Sequence, residues 1–135
     1  MDRAALVHRA SFDERLPWLA GLHTPAEDRW FYRERVFAEC TVWGAFKADA
    51  LVGIMAFRPD WIDQFYVLPQ AQRTGVGSAL LHIAKAQATS LSLWTFQRNT
   101  AARRFYEKHG FIATMETDGS ENEEREPDVL YLWTA

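Results

Sequence analysis

The sequence predicts an α/β fold in which a mixed, mainly antiparallel central sheet is flanked by helices. Three observations predict it. Short β-forming segments follow one another as hairpins near the middle of the chain. Amphipathic helices then alternate with strands toward the C-terminus. The length of 135 residues and a hydrophobic content of 48% suit one domain, residues 1–135, with a proper core.

The elements follow in order. Ala4–Arg9 reads as a short strand. Ser11-Phe-Asp-Glu14 fits a capping box that opens a helix toward Leu22. Thr24-Pro25-Ala-Glu27 is a stronger start, with an N-cap threonine, proline at the first helical position and glutamate at the third; that helix runs to about Ala38. Thr41–Lys47 and Leu51–Arg58 alternate and are rich in β-formers, with Ala48-Asp49 as the hairpin turn. Pro59-Asp60 turns the chain again into a strand at Trp61–Leu68, which Pro69 closes because proline cannot continue a ladder. Leu80, Ile83, Ala84, Gln87 and Ala88 recur at helical spacing. Leu91–Phe96 is the next strand, Asn99–His109 a helix stopped by Gly110, and Ile112–Thr117 and Val129–Trp133 the last strands.

Composition excludes several classes. A net charge of −3 demands no nucleic-acid partner. The single cysteine, Cys40, cannot form an intrachain disulfide, and it reads as a small core residue in a reducing compartment rather than a nucleophile. The N-terminus leads into no long apolar run, so the expected location is the cytoplasm, away from membranes.

Two segments carry chemistry. In Gln72-Arg73-Thr74-Gly75-Val76-Gly77-Ser78, two glycines lie between a strand and a helix. Lacking Cβ atoms, they let backbone amides approach a ligand, and the helix start offers unpaired N–H groups and the positive end of a dipole. A pyrophosphate needs those features; Arg73 either adds a charge or is simply solvated. A P-loop is excluded because no Gly-Lys-Ser/Thr follows, and a dinucleotide fingerprint because Leu80 stands at its third glycine. A plain packing turn remains open on these residues alone. Downstream, Asn99 and Tyr106 sit seven residues apart, so they share a helix face about 10 Å apart along the axis, with the small Ala102 between them. Ala101 and Phe105 are expected to turn toward the core. A thin, extended ligand fits such a channel. Equally, Asn99 suits a helix N-cap and Tyr106 an ordinary half-buried tyrosine.

Taken together and in this order, the two motifs resemble those of the GCN5-related N-acetyltransferases, over about Leu51–Phe111. Gln72-Arg-Thr-Gly75-Val-Gly77 is similar to the family's pyrophosphate loop, Phe65-Tyr-Val-Leu-Pro69 to the strand end before it, and Asn99-Thr-Ala-Ala-Arg-Arg-Phe-Tyr106-Glu-Lys-His-Gly110-Phe111 to its downstream motif. The resemblance implies acetyl-CoA as cosubstrate. It implies that the family's fourth and fifth strands, here Trp61–Leu68 and Leu91–Phe96, splay apart to form the cofactor cleft. Backbone groups near Val67 would then pair with the pantetheine arm, amides from Gln72 to Ser78 with the pyrophosphate, Asn99 with the pantetheine, and Tyr106 with the sulfur.

The implied reaction is direct attack of an amine on the thioester. An amine of pKa near ~10 must lose a proton first, and the departing thiolate needs a proton or a strong hydrogen bond. Tyr106 is the expected donor, and a backbone N–H near Val67 would polarise the carbonyl. Asp63 is the expected base, since strand period two puts it on the same face as Val67; pairing with a neighbouring arginine is the competing role. Glu27, Glu34 and His82 are weaker candidates. Among Trp18, Trp30, Phe31, Trp43 and Trp61, most should be core, with some free to shape a cation-binding acceptor pocket. The segment Glu116–Asp128 carries seven acidic residues and one arginine, as expected of a solvated loop, or of one that attracts cationic amines or makes a dimer contact. The expected acceptor is the primary amine of a small molecule, with a homodimer possible. The alternatives are a non-catalytic acyl-CoA-binding module and a peptide or protein N-acetyltransferase. No metal is expected.

Overall fold

The computed structural model describes residues 3–7, 9 and 39–135. Six strands, β1 (Thr41–Lys47), β2 (Ala50–Arg58), β3 (Trp61–Val67), β4 (Ser90–Phe96), β5 (Ile112–Glu116) and β6 (Asp128–Thr134), form one sheet of order β1-β2-β3-β4-β6-β5. Neighbours pair antiparallel except β3 and β4, which are parallel. The predicted mixed, mainly antiparallel sheet is therefore present. The β1–β2 turn falls at Ala48-Asp49 as expected, with Ala48 in the left-handed region at φ 55°.

Residues 3–7 are helical (α1), not extended as the sequence reading has it. Ala4 and Ala5 have the strongest helix propensity, and Ala4 and Val7 lie three apart on one helical face. Ala4, Ala5 and Val7 are buried against Ile54 and Ala56 of β2. Arg3 donates to the carbonyl of Asp49 and lies over the Phe46 ring at 5.5 Å, which pins α1 to the hairpin turn. The expected helices toward Leu22 and Ala38 lie outside the described residues, as do Trp18, Trp30, Phe31, Glu27 and Glu34.

On the opposite sheet face lie α2 (Val76–Ala86) and α3 (Thr100–Lys108). Leu80, Leu81 and Ala84 of α2 pack with Met55, Leu91, Leu93, Val129 and Tyr131 of the strands; Leu80 and Ala84 belong to the stripe read from the sequence, whereas Leu81 lies outside it and Gln87 is exposed at the helix end. Helix α3 ends where expected: His109 caps it and Gly110 follows in the left-handed conformation at φ 89°. Lys85 reaches from α2 to donate to the His109 carbonyl, and its ammonium lies 5.0 Å from the Trp133 ring. Of the five aromatics read as mostly core, the two that are described are not buried: Trp43 is exposed on edge strand β1, and Trp61 is half-buried.

Candidate functional site

The β3–β4 pair makes the site. Its ladder holds one residue pair, Trp61 with Ser92, reinforced by Ser92 N–H donating to Asp60 at 2.9 Å. Beyond it the strands diverge. β4 is meanwhile paired along its whole length with β6, from Ser90 to Phe96. The gap opens into a cavity of about 720 Å3 that runs between β3, β4, the Gly75–Gly77 loop and α3.

At one end stands the start of α2. Pro69–Ala71 form a 3-10 turn, Gln72 Nε2 donates to the Val67 carbonyl at 2.9 Å, and the Thr74 hydroxyl donates to Ala71. Arg73 (φ 64°) and Gly75 (φ 88°) both adopt the left-handed conformation, which curls the loop tightly. Gly75 is the N-cap, no side chain caps the helix, and no acidic residue lies in its first turn. The first intrahelical bond runs from Ala79 N–H to Gly75 at 3.0 Å, so the amides of Val76, Gly77 and Ser78 precede the ladder. Gln72, Arg73, Gly75, Gly77 and Ser78 line the cavity. The Val76 side chain packs against the core, and the Thr74 side chain is spent on its own loop, so these two offer backbone only.

The wall beside it is α3. Asn99, Ala102 and Tyr106 all line the cavity, as their spacing predicts. Asn99 is also the N-cap, its Oδ1 accepting from Ala102 N–H at 3.3 Å. Asn99 thus both caps the helix and lines the cavity. Ala101 and Phe105, expected to turn toward the core, line the cavity too, because the cleft is wider than one helical stripe. Tyr106 is 8% exposed, ringed by Phe65, Phe105, Phe111 and Tyr131 at centroid distances of 5.5–6.2 Å. Burial, with the Tyr66 phenol close by, holds its hydroxyl above the ordinary phenol range, so it is a protonated donor.

Val67 also lines the gap. Leu68 N–H donates to Val52 on β2 at 2.8 Å, and strand alternation turns the Val67 backbone the other way, toward the cleft. Asp63 arrives differently from the expectation. A β-bulge pairs Ala56 with Gln64 and Phe57 with Ile62, leaving Asp63 as the extra residue, so simple period-two alternation with Val67 is broken. Its carboxylate accepts from Arg58 twice, at 2.7 and 2.9 Å, and from the Cys40 thiol at 3.4 Å. The arginine pairing weighed against a base role is therefore present; Asp63 lines the cavity nonetheless. Burial first, then the bond to Asp63, pushes the Cys40 thiol up to about 11. At pH 8 its thiolate fraction is about a hundredfold below that of an ordinary thiol. Alkylation by iodoacetamide is expected to slow by that factor relative to the unfolded chain, as mass spectrometry of timed aliquots will report.

Sequence reading missed Tyr66 and Trp94, which face the cleft because the strands splay, and Arg104, Lys108 and His109, which follow Ala101 and Phe105 around α3. The signal for the last three was their helical spacing from Ala101. His109 lies 3.1 Å from the Ser78 hydroxyl; burial, then Lys85 and Lys108, keeps its ring below its usual range and hence neutral. Arg73, Arg104 and Lys108 give the described cavity wall three cations against one carboxylate, Asp63. In a chain of net charge −3, that local sign favours an anionic ligand. Among the described residues, no group of three or more His, Cys, Asp and Glu is placed to hold a metal, and no helix is long and apolar enough to cross a membrane.

Comparison with known proteins places this geometry. The "Probable N-acetyltransferase" of Mycobacterium tuberculosis is 34% identical over 80 residues, which is 53% of this chain and 46% of that protein; the match thus spans about half of the relative's length. The apo form of YjaB from Escherichia coli superposes with a TM-score of 0.80 at 20% identity, covering 98% of this chain and 89% of the other. PaiA N-acetyltransferase from Thermoplasma acidophilum, solved in complex with coenzyme A, superposes with a TM-score of 0.70 at 20% identity, covering 99% and 92%. The acetyltransferase (GNAT) domain matches residues 38–113, the stretch that holds the splayed strands, the glycine loop and α3, and the chain belongs to this family.

Proposed function

We propose that this chain binds acetyl-CoA in the β3/β4 cleft and passes the acetyl group by direct attack to the primary amine of a small molecule. One observation carries the reading: an uncapped helix N-terminus, a cationic wall and a buried protonated phenol stand along one gap between splayed strands. The amides of α2 suit the pyrophosphate, with Arg73 beside them. The Val67 backbone suits the pantetheine and the thioester carbonyl, Asn99 and Ala102 flank the arm, and Tyr106 meets the sulfur. The neighbour from Thermoplasma acidophilum, which holds coenzyme A, supports the cofactor. Asp63 serves the acceptor end as base, directly or through water, while Arg58 holds it in place. The protein acts as one acetyltransferase domain in the cytoplasm, and a homodimer is compatible with this reading.

The test is calorimetric titration with acetyl-CoA, then thiol release with small amines and with peptides as acceptors. Saturable binding with turnover on small amines alone is the expected result. Turnover on peptides alone would replace the acceptor class with a peptide or protein. Binding without turnover on either would leave an acyl-CoA-binding module.

A further inference from the structure

The acidic segment between β5 and β6 is not a loose solvated loop. Its polar groups are turned on one another. The Thr117 hydroxyl donates to Asp128 Oδ1 and accepts from Gly119 N–H at 3.2 Å. Asn122 donates to the Glu126 carbonyl at 2.8 Å and to Asp128 Oδ2 at 3.2 Å, and accepts from Glu126 N–H at 3.2 Å. Asp118 accepts from Ser120 N–H at 2.9 Å. Glu126 is 7% exposed and pairs with Arg98 at 3.7 Å. Asp118, Glu126 and Asp128, held in this way, make the segment a frame.

What the frame holds is Gln97. Its N–H donates to Pro127 at 2.9 Å, and its side-chain amide donates to Thr117 at 2.9 Å and Asp128 at 3.0 Å. Its carbonyl accepts from Arg103 on α3 at 3.3 Å. Gln97 is thus bonded through backbone and side chain alike, and it does not line the cavity. Two residues on, Asn99 starts α3, its own N–H tied back to Phe96 at 3.0 Å.

We propose that the segment from Thr117 to Pro127 positions Asn99 against the cofactor cleft, acting through Gln97. Gln97 and Thr117 are positioning residues: neither touches the cleft, yet together they fix the turn from which the cap residue and the first turn of α3 project. The inference rests on the reading that Asn99 contacts coenzyme A. Small displacements of a binding group are costly, since contact geometry tolerates little error.

The experiment uses the full chain. Gln97→Glu keeps shape but replaces two donated bonds with an acceptor that neither carbonyl can use. Thr117→Val removes one hydroxyl at constant shape, and Thr117→Ser restores it. Coenzyme A affinity by calorimetry, KM values for acetyl-CoA and amine, and the melting temperature are read for each. Gln97→Glu is expected to weaken coenzyme A binding roughly tenfold, as coupling within one hydrogen-bonded network allows. The KM for acetyl-CoA should rise in parallel while the KM for the amine stays unchanged. Thr117→Val should lose part of that affinity and Thr117→Ser none. In an Asn99→Ala background, Gln97→Glu should cost nothing further. Additive losses, a change confined to the KM of the amine, or a lower melting temperature with full coenzyme A affinity would each overturn the positioning role. Failure of the unsubstituted chain to bind coenzyme A would instead remove the cofactor reading, and this inference with it.

Discussion

Replacing Tyr106 with phenylalanine is expected to lower kcat about a hundredfold and to leave acetyl-CoA affinity within about twofold. The ring sits in a cage of Phe65, Phe105, Phe111 and Tyr131, so the substitution keeps the packing and removes one oxygen. What is lost is a donor. Burial raises the phenol above its ordinary range, whereas a thiol of pKa near ~8.5 is the stronger acid. In the proposed reaction, full proton transfer from Tyr106 to the departing thiolate would therefore run uphill, and the hydroxyl would act as a hydrogen bond that strengthens as charge grows on sulfur. One such preorganised donor is worth about 100- to 1,000-fold in rate. The sign of the pH dependence follows. A raised pKa keeps the donor protonated at every pH below it, so Tyr106 contributes no alkaline loss of kcat up to about pH 9. The variant should show the same profile, displaced downward. Single-turnover kinetics with calorimetric affinities will check this, and turnover equal to that of the unsubstituted chain would remove Tyr106 from the chemistry.

Much of the site was legible because its parts are local. The two glycines, the helix they open and the Asn99–Tyr106 spacing are sequence-adjacent features, and helical geometry carries them into the cavity without knowledge of the rest. Strands β1 to β4 were equally local, since alternation and turn residues mark them. What escaped depends on distant parts. The bulge at Asp63 answers to the register of β2, and period two offers no warning of it. Trp94 faces the cleft only because β4 leaves β3 after one pair. Residues 3–7 fold as a helix although the short run Ala4–Arg9 reads as a strand, because small side chains at 4, 5 and 7 can close on β2. The acidic segment reads as solvated by composition. Its order comes from Asn122, Thr117 and Gln97, ordinary residues whose partners are scattered along the chain.

The glycine loop is where a single substitution should do most. The two glycines serve different ends. At Gly75 a Cβ would meet nothing within 4 Å, and the requirement is the backbone conformation, φ 88°. At Gly77 a Cβ would lie 3.4 Å from Cε1 and Cζ of Phe105 and 3.7 Å from Phe65, ordinary contact distances, so space runs out only for a side chain larger than a methyl. Gly77→Trp therefore drives an indole between the start of α2 and the aromatic floor of the cleft, over the amides that precede the helical ladder. Hydrogen bonds to a charged group are worth about 1.5–3 kcal/mol each, so masking two of them costs about 3–6 kcal/mol. Saturable binding of acetyl-CoA should weaken by at least about a hundredfold and drop out of the calorimetric window. The cavity of about 720 Å3 gives the indole somewhere to go, so the far-UV circular dichroism should stay that of the folded chain. Gly77→Ala is the graded control: its methyl rests in ordinary contact with Phe105 and Phe65, and affinity should stay close to that of the unsubstituted chain. Access decides the loss, so its order should follow side-chain size at position 77, whatever the acceptor amine. Full acetyl-CoA affinity in a folded Gly77→Trp chain would mean that the cofactor's phosphates do not rest on the start of α2, and that these glycines only let α2 pack against α3.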